Sequence, residues 1–316
     1  MRTRLALVVA LSLALPAHAE VRGQPQGAAK VRFGKGFPAL QDAEWHFRIG
    51  GFGGVKPRAA RKHVPVVFVH GNNVDAADWY PVRDGFKAAG WTDQELWALS
   101  YNGLGANNGT ALRTANPERD AEHTEMGWDG QARVTSDDVN VPDLYAFIKA
   151  VRTYTGSAKF TIVAHSLGVT LARKTLQMHR ELRKDLVAFV SIAGPNHGTS
   201  LCPNGSQGQV ASCDEIAAGT PWLDALNGPN GSDETFKPAK WLTVYDSTGV
   251  GDPAYAGPAY ALSPMLKGAK NTAFPYTYHN DLRMDPAIVA VYRGFLEKHG
   301  SLRAAAPGRN RGGRGE

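Results

Sequence analysis

Only two cysteines occur in 316 residues, which excludes a disulfide-dense mini-protein and a Cys-rich zinc framework. Long apolar runs are also missing. The longest, Leu5 to Leu15, is broken by Ser12 and falls well short of the roughly 20 residues that span a bilayer. No GxxxxGK[ST] or helix-opening GxGxxG occurs, so the sequence offers no nucleotide cradle. The body of the chain has little excess of either charge. The formal net charge is +6, but the first 19 residues carry +2 and residues 300–316 carry +3, which leaves +1 between them. A body this close to neutral has no field to draw it to nucleic acid. With 43% hydrophobic and 20% charged residues, the composition is that of a globular protein with a large core.

The ends of the chain differ from its body. Met1 to Arg4 is a short positive start, the apolar run follows, and Pro16-Ala-His-Ala19 ends it with small residues at the cleavage spacing. This pattern predicts a secretory signal peptide over residues 1–19 and a mature protein in the periplasm or outside the cell. In such an oxidising compartment Cys202 and Cys213, close together in a Gly/Ser/Pro-rich stretch, are expected to form a disulfide. Residues 300–316 are rich in Arg, Gly and Ala and predict a disordered basic tail.

Between the ends, β-branched runs alternate with helical periodicity. Strands are expected at Val64–Val69, Glu95–Ser100, Lys159–Ala164, Leu186–Ile192 and Trp241–Tyr245. Helices are expected at 78–89, 139–155, 169–183 and 286–298. Several strands are apolar on both faces, as buried parallel strands are. The alternation predicts an α/β fold, a mostly parallel sheet with helices on both faces. Residues 101–125, 200–238 and 253–275 read as long loops, and Gly50–Gly54 as a turn.

The sharpest local signal is Ala164-His-Ser-Leu-Gly168, between a β-branched strand and a helical pattern. Small residues two before and two after a serine let the chain turn sharply and lift the hydroxyl above the sheet edge. Such a hydroxyl needs a base to become a nucleophile. The Leu167 N–H would sit at a helix N-terminus, where an oxyanion can be held. His70-Gly-Asn72 follows another buried strand, where Asn72 could supply a second N–H and His70 a structural hydrogen bond.

With these motifs in hand, the chain resembles secreted bacterial lipases and esterases of the α/β-hydrolase superfamily, in particular the class 2 lipase-like group related to extracellular polyhydroxyalkanoate depolymerases. The resemblance spans about residues 64–298 and rests on Val69-His-Gly-Asn72, Ala164-His-Ser-Leu-Gly168 and Ser191-Ile-Ala-Gly-Pro-Asn-His-Gly-Thr199. It implies the α/β-hydrolase fold and a serine ester hydrolase with nucleophile Ser166. It also implies a catalytic histidine just before the last helix, which is His279, and an acid after a late strand. Two acids fit that place, Asp246 and Asp252. Asp252 is preferred, because Gly249 and Gly251 suit a loop that folds back and Pro253 keeps Asp252 extended.

Such chemistry needs no metal or organic cofactor. His123 and Glu125 lack a third ligand at metal-binding spacing. His197 is expected to shape a pocket. Trp79, Trp128, Trp222, Tyr255 and Tyr260 are candidates to line an acyl cleft. The expected partner is an ester, whether a lipid, a short-chain ester or a polyester, with no nucleic acid and no transmembrane segment. The sequence leaves open a polyhydroxyalkanoate depolymerase, an acyltransferase or a silent binding protein on the same fold, and the oligomeric state.

Overall fold

The computed structural model describes residues 32–43, 49–72, 74–101, 136–203, 205 and 211–302. The expected signal peptide, His123, Glu125, Trp128 and the chain from Arg303 lie outside the described residues. Among the described residues seven strands form one sheet: β1 Gly50–Phe52, β2 Val66–Val69, β3 Leu96–Ser100, β4 Phe160–His165, β5 Leu186–Ile192, β6 Lys240–Tyr245 and β7 Lys270–Ala273. Their order is β1-β3-β2-β4-β5-β6-β7. Only β1 runs antiparallel to its neighbour, as the edge strand beside β3.

Period-two alternation sorts the strand side chains into two cores. Val66 and Phe68 face a core with Phe86, Ile192, Val244, Tyr292 and Leu296, under helices α1 (Tyr80–Ala88) and α7 (Pro286–Gly300). Val67 and Val69 face Leu144, Phe147, Val151, Leu171 and Leu176, under α2 (Asn140–Thr155) and α3 (Leu167–Met178). Three short helices complete the described set: α4 Ala211–Ile216, α5 Pro221–Asn227 and α6 Asp281–Met284.

The structure departs from the sequence expectations where side chains carry little pattern. Gly50–Gly54 is not a simple turn, because Gly50–Phe52 is a strand. A Cβ on Gly51 would lie 2.2 Å from Ala98 O and one on Gly53 2.5 Å from the Trp97 ring, so glycine is what lets this edge lie against β3. Within the expected loop 253–275, β7 is polar and partly exposed at the other edge, which leaves no apolar run to mark it. Likewise 200–238 contains α4 and α5. The helix expected from residue 78 begins as a 3-10 turn at Ala76–Trp79, capped by Asp75, which accepts from Ala77 N at 2.6 Å. Gly300–Leu302 belong to the fold. Val64 N donates to Gly300 O at 2.9 Å and Leu302 N to Lys62 O at 2.7 Å.

Candidate active site

The site is built at the C-terminal ends of the central strands. β4 stops at His165, and Ser166 turns the chain at φ 56° and ψ −133° before α3 begins at Leu167. A non-glycine residue at positive φ is strained. The turn is held on both sides: Ser166 N donates to Ile192 O at 2.9 Å, and Val169 N to Ser166 O at 2.9 Å. A Cβ on Gly168 would stand 2.2 Å from His70 O, so the helix can approach the β2 loop this closely only with glycine there. Leu167 occupies the first helical position, where an N–H has no intrahelical acceptor.

The loop after β2 reaches the same place. A Cβ on Gly71 would lie 2.8 Å from Ser166 Cβ and 3.4 Å from its Oγ. This proximity brings Asn72, which is exposed, next to the serine turn. His70 is fully buried. Its Nδ1–H donates to Gly71 O at 2.8 Å, and its ring stacks on Tyr101 at 3.9 Å. The Tyr101 hydroxyl donates to His70 O at 2.6 Å. Burial drives the His70 pKa down to about 3, so the ring is neutral at physiological pH.

On the far side, His279 Nδ1 lies 2.7 Å from Asp252 Oδ2. Asp252 is fully buried, and its Oδ1 accepts from Ala254 N at 2.9 Å. Asp246 gathers the loop instead. Its Oδ1 accepts from Tyr276 N at 2.7 Å, and the Thr248 hydroxyl lies 2.7 Å from Oδ2 and 2.9 Å from Oδ1. Its Oδ2 accepts from Gly251 N at 3.0 Å and Asp252 N at 3.2 Å. Burial alone would raise the Asp246 pKa, but the hydrogen bonds from Thr248, Asp252 and Tyr276 outweigh it and hold the carboxyl below its ordinary value.

Sequence reasoning passed over two side chains here, His165 and Arg283, and named Tyr255 only as a candidate to line a cleft. His165, next to the serine, has its Nε2 3.1 Å from His279 O. Tyr255 lies buried with its ring 6.1 Å from that of His279, and its hydroxyl donates to Ala193 O at 2.5 Å. Arg283, buried four residues after His279, pairs with Asp78 and stands 5.6 Å over the Trp79 ring. His165 sat within the motif itself, but no sequence signal connects Arg283 with Asp78.

The other expected residues find separate surroundings. His197 Nδ1–H donates to Ser263 O at 2.9 Å and its Nε2 lies 3.2 Å from Glu234 Oε1. The hydrogen bond to Glu234 raises its pKa. Trp79 and Tyr255 are core residues and Tyr260 packs against the same core, whereas Trp222 covers Lys174 at 5.1 Å. The four of these aromatics among the described residues are therefore divided between the core and the Lys174 side chain. Cys202 and Cys213 are joined in a disulfide, with Cα atoms 5.3 Å apart. Among the described residues, no group of three or more His, Cys, Asp or Glu is arranged to hold a metal ion. No helix among them is long and apolar enough to cross a membrane.

The profile of the class 2 lipases matches residues 63–117 and 128–230, half of the chain, and includes the His70–Asn72 loop, the serine turn and the stretch to Thr199. The chain belongs to the class 2 lipase family. Among solved structures, the chain resembles lipase B of Aspergillus fumigatus, with a TM-score of 0.54 and 16% identity over 76% of this chain and 54% of that one. It also resembles the propeptide form of the Bacillus licheniformis lipase BlEst2, with a TM-score of 0.53 and 16% identity over 82% of this chain and 55% of that one. Est1E of Butyrivibrio proteoclasticus, solved with ferulic acid bound, gives a TM-score of 0.51 and 12% identity over 82% of this chain and 98% of that one. The chain spans about half the length of the two lipases. At these identities the likeness is one of fold, the α/β-hydrolase fold. Among curated protein sequences there is no significant match.

Proposed function

We propose that this class 2 lipase is a secreted carboxylic-ester hydrolase that works through an acyl-enzyme on Ser166. The observation that carries the reading is the 2.7 Å contact between His279 Nδ1 and Asp252 Oδ2, at the sheet end that bears the strained serine turn. Asp252 keeps the proton on Nδ1, which leaves Nε2 free to accept the Ser166 hydroxyl proton. Ser166 Oγ then attacks the ester carbonyl carbon, and the negative oxygen is held by the N–H groups of Asn72 and Leu167. As the tetrahedral intermediate collapses, the carbon–oxygen bond to the alcohol breaks and His279 returns its proton to that oxygen. Water, deprotonated by the same imidazole, releases the acid and restores the serine. His70 takes no part as a base, because burial opposes the protonation a base must undergo and its Nδ1–H is committed to Gly71 O.

The test is hydrolysis of a p-nitrophenyl ester chain-length series, tributyrin and polyhydroxybutyrate by the mature protein, alongside Ser166→Ala and labelling with a fluorophosphonate. Wild type should hydrolyse esters and label at Ser166. Ser166→Ala should lose several orders of magnitude in kcat with an unchanged melting curve, as roughly 10⁶-fold losses follow removal of a triad nucleophile. An Ser166→Ala protein that keeps most of its esterase activity would remove Ser166 from the mechanism.

A further inference from the structure

His165 is the last residue of β4 and stands immediately before Ser166, yet its side chain points to another part of the chain altogether. Its Nε2 is 3.1 Å from the main-chain oxygen of His279, 114 residues away, and the two imidazole rings are 4.7 Å apart. A carbonyl oxygen can only accept, so Nε2 carries the proton and Nδ1 is a bare acceptor. Among the described residues that Nδ1 is buried without a hydrogen-bond partner. An apolar side chain would fill the same buried position without stranding a ring nitrogen, so the imidazole is retained against the ordinary rule of polar satisfaction.

We infer that His165 is a positioning residue: its Nε2–H fixes the backbone of His279 to the strand that carries the nucleophile. The inference rests on the reading of Ser166 and His279 as nucleophile and base. The segment between β7 and α6 that holds His279 is irregular, with Tyr276 at φ 59°. Besides the contact of the His279 side chain with Asp252, its main chain is tied down at three places. Phe274 N donates to Tyr245 O at 2.8 Å, Tyr276 N donates to Asp246, and His165 takes hold of residue 279 itself. The first two ties lead to β6 and the loop after it. Only the third, of these three, leads to the serine turn. Because Ser166 is held rigidly by Ile192 O and Val169 N, a bond from the adjacent residue transmits that rigidity to the base. Burial and the neighbouring His279 keep His165 uncharged, so it neither competes for the serine proton nor repels the imidazolium that forms.

The experiment compares His165→Leu and His165→Gln with wild type. Gln keeps an N–H at about the reach of Nε2, and Leu removes it. His165→Leu should lower kcat on p-nitrophenyl esters by roughly 10–100-fold with KM nearly unchanged, the scale of a small misplacement of a catalytic group. It should slow fluorophosphonate labelling of Ser166 in parallel, and His165→Gln should restore most of both. Wild-type kcat in His165→Leu, or equal losses in Leu and Gln, would overturn the inference. Imidazole nitrogen shifts in the unmodified protein test it without any variant: the Nε2–H tautomer supports it and the Nδ1–H tautomer refutes it. Failure of wild type to label at Ser166 would instead remove the catalytic reading, and the two failures are thus told apart.

Discussion

Asp252→Asn would replace the carboxylate 2.7 Å from His279 Nδ1 with an amide of nearly the same shape. If the amide oxygen stays with Ala254 N, the amide NH₂ faces Nδ1 and can be accommodated only when the ring proton moves to Nε2. That tautomer cannot take a proton from Ser166. The expected loss is about 10⁴ in kcat, or roughly 5.5 kcal/mol of transition-state stabilisation. The fold should barely respond, because a hydrogen bond remains at each end. Asp246→Asn should behave in the opposite way. Both Asp246 oxygens accept from main-chain N–H groups, Tyr276 N on one and Gly251 N and Asp252 N on the other. Either orientation of an amide therefore sets a donor against a donor. Losing at least one hydrogen bond to a charged group costs about 2–3 kcal/mol. For a domain of this size that is a fall in Tm of roughly 4–10 °C. Because the native Asp246 pKa is depressed, its stabilisation is present at neutral pH and disappears as pH falls below about 4. The assay is kcat and Tm for both variants at pH 7.5. A near-normal kcat in Asp252→Asn, or a 10⁴ loss in Asp246→Asn at an unchanged Tm, would refute the division of labour.

Three further outcomes are expected. Gly168→Ala puts a methyl 2.2 Å from His70 O, so it should destabilise by about 3 kcal/mol or more, or fail to yield folded protein; a wild-type melting curve would contradict this. Reducing the Cys202–Cys213 bridge, with partners 11 residues apart, should lower stability by about 3 kcal/mol on the chain-entropy estimate while sparing kcat, as denaturant titrations with and without reductant would show. Glu215, which accepts from Ser136 N at 2.6 Å and Ser136 Oγ at 2.7 Å, has its pKa raised by burial from 4.5 to about 7. The folded state therefore binds the proton more tightly than the unfolded chain, and stability falls as pH rises from about 4.5 to 7. Glu215→Gln should remove that slope and be more stable than wild type at pH 8 by up to about 3 kcal/mol, and equal pH profiles would sink the argument.

What could be read directly from the chain was local. Strands apolar on both faces announced a buried parallel sheet, because a residue with no solvent-facing side must be covered twice. Leu186–Ile192 has the same bounds in the sequence reading and in the structure. The serine turn was legible because its geometry is a property of five consecutive residues, and the small ones at 164 and 168 advertise a close approach. Strands β1 and β7 were not legible, since glycine and polar side chains leave no alternation to count, and their pairing is set by the backbone of a neighbour far along the chain.

The same division runs through the candidate site. By itself the sequence determined which residue types stand at the ends of which strands: Ser166 after β4, two acids after β6, and His279 before the last helices. It preferred Asp252 to Asp246 only on the glycines and proline around it, because both acids follow the same strand and their surroundings depend on the path of the loop between them. In the folded chain the Asp246 carboxylate is the hub for Gly251, Asp252 and Tyr276, and the Asp252 carboxylate lies 2.7 Å from the His279 imidazole, a geometry that supports the proposed role of Asp252. His165 on His279 and Arg283 on Asp78 are contacts of the same sort. Directional hydrogen bonds and ion pairs between distant segments depend on where the sheet and its helices bring those segments, and no local pattern records that.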